Sequence, residues 1–519
     1  MLLKVIAACA VWALVSWLSS ANLDGYHDML ENYAWAQPLQ WGTHKHPPFF
    51  AWVVGLWFTL FPQADWAYRL LSYTNVGVAL WGVWVLGRRL GLSHLAPLGA
   101  ALLLWTFPYT SLAGKFNANS QLLSLWPWAA ALLLASWQEK GWRGALYSAA
   151  LGLLAAASML SKYYSGVFLA GFLVPTLLTA PGRRWLCTPR PYLALAVFAA
   201  ALAPHVAWEA HHQWTTLGYA MDQGGGGTNW RYVARFLLSP LFYWLPAWLA
   251  LVLVYARLQR KAVPVATPLP VRRLLWRIWM PRGWDDALFW LAVMPWLLTL
   301  GFGIAGVAEL STPWAIPIGY AFALLWLRNL DALLPGTTAA VLAALRRAWW
   351  PVLGGVLVLG VVAGVLSARK GDEGFYRPSS EAAQAIVEGW QRRHPDLPLQ
   401  WVGGAWAENA LVSFYAQPHL RTVPGLPDEV PARLLGLTGW EGQAGLLLCP
   451  RGPVQGDESG PSDASAGCEA DAQAWLQARG LPVHPVVLTL QRQGWRFPKA
   501  RPFAYAVFDV LPRAAPTAP

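Results

Sequence analysis

The sequence predicts a polytopic α-helical membrane protein with a soluble α/β domain at its C-terminal end. Three observations predict it. Charged residues make up 12% of the 519 and hydrophobic ones 56%, and the charged share is about half that of soluble domains. Apolar runs of roughly 16–23 residues, the length that crosses a bilayer core, recur through the first two-thirds of the chain. Thirty-five tryptophans suit a chain with long membrane–water boundaries, where the indole ring is buried and its N–H stays wet.

The apolar runs place spans near 3–21, 65–87, 95–112, 119–136, 144–160, 163–180, 191–208, 233–255, 286–305, 313–328 and 349–367. Residues 5–20 are long enough to remain as a first span, and no small-residue cleavage site follows them, so no signal peptide is expected. The run 47–62 opens with Pro47 and Pro48 and closes with Pro62, which predicts an interfacial or re-entrant helix. With the N-terminus in the cytoplasm, the inner loops collect Arg88 and Arg89, Lys140 and Arg143, Arg183, Arg184 and Arg190, the basic linker 256–284, and Arg346 and Arg347. Lys45, Lys115, Lys162 and Arg231 stand out on the opposite side. Eleven spans alternate consistently under the positive-inside rule. The net charge of +12 is thereby assigned to orientation, and nucleic acid is excluded as a partner.

After Leu366 the composition turns to Pro, Gly, Glu, Gln and Asp, with no run long enough to span. Helical patterns near 379–394, 405–416 and 469–479 alternate with strand-like runs near 398–403, 445–449, 483–490 and 503–510, the pattern of a small α/β domain. The boundary falls between 368 and 369, and an odd span count puts 369–519 outside. Cys449 and Cys468 lie there, where an oxidising compartment permits a disulfide. Cys9 sits in a span and Cys187 in an inner loop. No metal-type cysteine spacing occurs.

The unusual polar residues all fall on the outer face, and ionisable groups at membrane depth tend to mark function. The first outer loop, 22–64, holds Asp24, Asp28, Glu31 and Asn32, then Lys45 and His46 before the prolines. A helix over 27–36 brings Asp28, Glu31, Asn32 and Trp35 to one face. Lys115, Asn117 and Asn119 lie between the third and fourth spans, and Lys162 and Tyr163 in the tight turn after the fifth. The loop after the seventh span holds His205, Glu209, His211, His212, Asp222 and a glycine run, Gly224 to Gly227. Those glycines read as a flexible covering loop or a linker. Glu309 sits between the ninth and tenth spans.

Asp28-Met-Leu-Glu-Asn-Tyr-Ala-Trp-Ala-Gln, then Trp41-Gly, His46-Pro47-Pro48, the aromatic-x-Ala-Trp run to Trp52 and the Lys162-Tyr163 turn resemble the protein-mannosyltransferase-like glycosyltransferases. These are GT-C class membrane enzymes, among them the lipid A aminoarabinose transferases. The resemblance covers about residues 20–170, with the later chain similar in layout only. It implies a GT-C fold of about eleven transmembrane helices with juxtamembrane helices. It also implies transfer of a sugar from a polyprenyl (undecaprenyl) phosphate to a lipid A, envelope-glycan or protein acceptor on the periplasmic side of the bacterial inner membrane. Asp28 is then the general base, with Asp24 a rival for that role, and an inverting single displacement follows. Lys45, His46, Lys115, Asn117, Asn119, Lys162 and Tyr163 become candidates for the lipid phosphate and substrate, with Glu31, Asn32, His211 and Glu309 as secondary candidates.

Two positions depart from the family pattern. Met29 stands where a Glu is usual, and Asn117 or Asn119 where a second acid is. A mechanism needing two outer carboxylates, or a metal between them, is therefore not supported, and no cofactor is required. The spacing of Glu209, His211 and His212 is loose for a helix-borne metal site, which leaves them a weak alternative. A transporter or flippase of lipid-linked sugars is the competing function. A non-catalytic assembly protein whose outer domain binds a partner is a third.

Overall fold

The computed structural model describes residues 2–24, 28–37, 39–222, 227–261, 270–370, 373–418, 420–423, 425–429, 439–453, 463–494 and 497–512. The chain divides into two compact units. One comprises Met1–Ala13, Lys45–Phe49 and Leu70–Leu357; the other comprises Leu14–His44, Phe50–Arg69 and Val358–Pro519.

Among the described residues, seven helices are long and apolar enough to cross a membrane, or eight if one bent pair counts as a span. They include Leu2–Ser19, Asp65–Arg89, Gly141–Ser161, Arg190–His211 and Ala287–Ile304. The expectation of eleven uniform spans is corrected in three places. The run 95–112 is helical only over Ala96–Leu103 and continues as 3-10 turns, Phe107–Tyr109 and Leu112–Gly114. Pro108 there has no N–H to donate, and the hydroxyls of Thr106 and Thr110 bond to nearby carbonyls instead. The run 313–328 is likewise interrupted: 3-10 turns Thr312–Ala315 and Ile318–Ala321, each opened by proline, precede helix Phe322–Leu333. The run 163–180 bends by 105° at Thr179, between Ser165–Leu178 and Ala180–Leu186. Thr179 caps the second piece, its hydroxyl accepting from Gly182 N. Helix Ala118–Gln138 is long enough to span, but its polar first turns keep it out of the apolar set.

In the first unit those polar turns have a structural role. Asn75, on helix Asp65–Arg89, accepts from Ser124 and Gln121 and donates to the Ser120 carbonyl at 2.7 Å. The network is buried. Side-chain hydrogen bonds of this kind join helices where the apolar effect cannot. A second buried anchor joins Asp286, the N-cap of helix Ala287–Ile304, to Arg328 through two parallel bonds of 2.6 and 2.7 Å. The tryptophans divide between two environments. Trp142, Trp276 and Trp284 are exposed, as expected of boundary residues, whereas Trp126, Trp244 and Trp326 are wholly buried core.

The second unit contains a five-stranded mixed sheet in the order β2-β1-β3-β5-β4. Its strands are β1 (Trp401–Gly404), β2 (Arg421–Thr422), β3 (Gly445–Pro453), β4 (Val486–Leu490) and β5 (Phe503–Val510). β1 runs parallel to β2 and β3, and β5 runs antiparallel to β3 and β4. Alternate residues feed two cores: Val402, Leu446, Leu448 and Val507 on one face, and Trp401, Leu447, Cys449 and Phe508 on the other. Helices Ser379–Arg393, Trp406–Tyr415 and Asp463–Gln477 cover the sheet, close to the expected pattern. β1 ends at Gly404, at φ +101°, where an added Cβ would lie 2.4 Å from the Leu448 carbonyl oxygen. Cys449 and Cys468 are disulfide-bonded, with Cα atoms 5.8 Å apart.

The same unit contains the first outer loop. Helix Asp28–Ala36 forms as expected, residue 27 lying outside the described residues, but it is not a surface helix with one wet face. Met29 through Trp35 are all buried. Tyr33 packs edge-on against Phe58 of helix Phe49–Leu60 and against Phe414 of helix Trp406–Tyr415, and Tyr68 completes the cluster. The Tyr68 hydroxyl donates to the Met29 carbonyl at 2.7 Å, and that of Tyr415 to Asp65 at 2.6 Å. Buried Arg69 donates to Ser20 and to the carbonyls of Asn22 and Leu23. Segment Leu14–Ser19 meets helix Thr337–Lys370 at Gly360 and Gly364. A Cβ at either would lie within 2.7 Å of Val15 or Leu18, a small-xxx-small contact between membrane helices.

Candidate functional site

The first unit holds a cavity of about 400 Å³. Four of its walls come from stretches that the sequence singled out, and each is placed by a local rule. Asn119 stands in the first turn of helix Ala118–Gln138. That turn is closed by a capping box: the Asn117 side chain accepts from the amides of Asn119 and Ser120, and Ser120 Oγ accepts from Asn117 N. Such reciprocal caps satisfy amides that the helix leaves open. Helix Gly141–Ser161 then ends at Lys162, which turns to an extended conformation and directs its ammonium across the cavity. Lys162 Nζ donates to Asn119 Oδ1 at 2.8 Å and lies 5.7 Å from the centroid of the Trp314 ring, within cation–π range.

Tyr163 and Tyr164 follow in the same turn, and both line the cavity. The Tyr163 hydroxyl is 2.6 Å from His205 Nε2, and that of Tyr164 is 2.8 Å from the hydroxyl of Thr299. Burial first, and then the negative charge of Glu209, push the Tyr163 phenol above its usual range, so it stays protonated at neutral pH. Lys45, His46 and Pro47 form another wall, with the His46 ring 5.9 Å from that of Tyr219. Among the described residues Glu309 is the one acid in the lining, and the Asn229 amide donates to it at 3.4 Å. Among the described residues the lining thus carries two lysines, a histidine and one carboxylate beside Tyr163, Tyr164, Tyr219 and Trp314. It offers an anion positive charge and a ring-shaped polar molecule aromatic faces.

Of the residues expected here, Lys45, His46, Asn119, Lys162, Tyr163 and Glu309 meet in this cavity. Lys115 and Asn117 are not in its lining: Lys115 ends the turn Leu112–Gly114, and Asn117 is the helix cap. Asp24, Asp28, Glu31 and Asn32 belong to the second unit. Asp24 caps helix Asp28–Ala36, its carboxylate accepting from the amides of Asp28 and Met29 at 3.1 and 2.9 Å. That gives Asp24 a structural use as a cap. Glu31 and Asn32 are buried, and Asp28 is half-buried at the first turn.

Glu209, His211 and His212, the weak metal alternative, each have another setting. Glu209 is buried and accepts from Leu217 N at 3.3 Å. His211 is exposed at the helix end, and His212 stacks on Trp208 and bonds its carbonyl. The three do not converge, and among the described residues no group of three metal-ligating side chains does. His205 is not in a loop but in helix Arg190–His211. Residues 224–226 of the glycine run and 262–269 of the basic linker lie outside the described residues. Tyr164 lies in the turn that the sequence singled out, whereas Tyr219, Thr299 and Trp314 join the lining without a signal in the sequence.

This fold is that of the GT-C class of membrane glycosyltransferases. Residues 45–208 match the family model described as dolichyl-phosphate-mannose-protein mannosyltransferase, a stretch that supplies Lys45, His46, Asn119, Lys162, Tyr163 and His205. Over its whole length the chain is similar in structure to ArnT from Cupriavidus metallidurans bound to undecaprenyl phosphate. The TM-score is 0.57 at 15% identity, covering 100% of this chain and 98% of that one. The apo form of the same ArnT gives 0.57 at 14% identity, covering 97% of each chain. The Archaeoglobus fulgidus oligosaccharyltransferase tethered with an acceptor peptide reaches 0.43 at 14% identity, over 86% of this chain and 69% of that one. No curated protein matches the chain.

Proposed function

We propose that the chain is a membrane glycosyltransferase that moves one sugar from a polyprenyl phosphate to an acceptor on the non-cytoplasmic side. The observation that carries this reading is the cavity around Lys162, with Lys45 and His46 opposite the tyrosines and Trp314. The leaving group in such a transfer is a lipid phosphate, and cations placed where its charge develops stabilise the transition state. Tyrosine and tryptophan rings suit the faces of a pyranose. A phosphate leaves without further activation, so the step requires no metal or other cofactor. The similarity to an ArnT structure holding undecaprenyl phosphate supports the same donor class.

In this reading Asp28 takes the proton of the acceptor hydroxyl, and attack from the face opposite the phosphate inverts the anomeric carbon. The catalytic part is residues 1–368. The outer domain, 369–519, meets the acceptor, which is lipid A, another envelope glycan or a protein. The membrane is the bacterial inner membrane, with the N-terminus in the cytoplasm and the C-terminal domain in the periplasm. Asp28→Asn is expected to lower transfer by about 10²–10⁴-fold while the protein still inserts and purifies. Turnover at the wild-type rate removes Asp28 as the base. In proteoliposomes, labelled sugar should leave its carrier without crossing the vesicle wall. Translocation of the intact lipid-linked sugar would instead identify a flippase. Mass spectrometry of envelope glycans with and without the protein identifies the acceptor.

A further inference from the structure

His205 is buried, at 2% exposure, and does not line the cavity, yet its Nε2 is 2.6 Å from the hydroxyl of Tyr163, which does. We infer that His205 presents an Nε2–H to the Tyr163 oxygen and so turns the phenol proton toward the cavity, making Tyr163 a donor to the phosphate of the lipid carrier and His205 its positioning residue. This rests on the cavity being the donor-phosphate site.

A tyrosine has one proton to give. If it goes to His205, the cavity meets only lone pairs of the phenol, which repel a phosphate. If the ring nitrogen donates, the phenol proton is free for the anion. Which ring nitrogen carries hydrogen follows from its neighbours, and an anion in the cavity selects the second polarity. Glu209, one helical turn beyond His205, is 2% exposed, and its Oε1 has no hydrogen-bond partner among the described residues. Burial first, and Glu209 second, raise the Tyr163 phenol, which so keeps the proton it donates. Lys162 supplies charge beside it, already oriented by Asn119. Together they give the phosphate one ionic and one directed neutral contact from adjacent residues of a single turn.

The test is binding of undecaprenyl phosphate to the purified full-length chain in nanodiscs. The variants are Tyr163→Phe, His205→Gln, His205→Asn and each His205 variant combined with Tyr163→Phe. A glutamine amide N–H stands near the position of Nε2–H, whereas asparagine's falls short of it. His205→Gln should bind within about threefold of wild type, and His205→Asn and Tyr163→Phe should each bind about tenfold more weakly. In the Tyr163→Phe background, His205→Asn should add nothing. Glutamine and asparagine behaving alike, or losses that multiply in the double variant, overturn the inference while leaving the phosphate site standing. A wild-type chain that does not bind undecaprenyl phosphate overturns the site and the inference together.

Discussion

At the scale of single residues, Lys162 is the side chain on which the cavity's electrostatics turn. It is held from two sides, by Asn119 and by the face of Trp314, so little freedom remains to be lost when an anion arrives. A hydrogen bond to a charged group is worth about 1.5–3 kcal/mol. Lys162→Met should therefore weaken binding of undecaprenyl phosphate by roughly 10–100-fold. Asn119→Ala, which removes one hold on the ammonium and keeps its charge, should cost less. Isothermal titration of both variants checks the order. Lys162, Tyr163 and Asn119 were legible in the sequence because polar groups at the edge of apolar runs are expensive and need a reason. The distinction between Asn119, in the lining, and Asn117, in the cap, was not legible. Both are asparagines at one helix start, and only the capping geometry separates them.

At the scale of elements, helix Asp28–Ala36 has an unusual constitution. It is nine residues long, too short to persist alone, and is buried nearly all round. Its stability is therefore tertiary, and Phe414 is a central part of it, touching Tyr33, Phe58 and Tyr68 from a helix late in the chain. Phe414→Ala should cost about 3–5 kcal/mol. The loss should appear as faster hydrogen exchange over residues 28–36 as well as over 406–415. Exchange accelerated in 406–415 alone would show the early helix to be held by other contacts. The sequence made this helix visible by its spacing and left its surroundings hidden. A periodic polar face looks solvated when the partner that covers it lies hundreds of residues away. The prolines worked in the other direction: Pro108, Pro313 and Pro317 interrupt runs that hydropathy alone reads as continuous spans.

For the molecule as a whole, most of the long helices and four of the five strands lie close to where composition and periodicity put them, while the two-residue β2 answers to no predicted run. What local patterns do not encode is which distant segments share a core. Residues 14–44 and 50–69 pack with the sheet domain, an association built from contacts such as Arg492 to the Ala21 carbonyl and Asn22 to the Arg377 carbonyl.

The sheet domain also sets a pH limit. Burial acts to raise the Asp509 carboxyl, but Arg393 and His394, bonded to it at 2.7 and 2.9 Å, outweigh burial and hold it below the usual carboxylate range. Glu381 is lowered in the same way against its burial, chiefly by the charge of Arg492. A carboxyl depressed in the folded state stabilises the fold fully above its unfolded pKa, about 4. That stabilisation is lost as pH falls through the folded value. The unfolding temperature should therefore hold at neutral pH and drop on acidification below about pH 4. Asp509→Asn should flatten part of that drop, as thermal melts across pH would register.

The bridge between Cys449 and Cys468 has a bearing on how the protein is made. It ties β3 to the helix that covers it, near the end of the chain, so it forms only after the last long helix has emerged from the ribosome. Cytosolic thiols are kept reduced, so with this domain on the non-cytoplasmic side, as proposed above, the bond would serve as a stamp of delivery. A copy threaded the wrong way round would retain Cys449 and Cys468 as thiols, beside the free Cys9 and Cys187, where a correctly exported one has them joined, and a cell could sort the two by chemistry before either met a substrate.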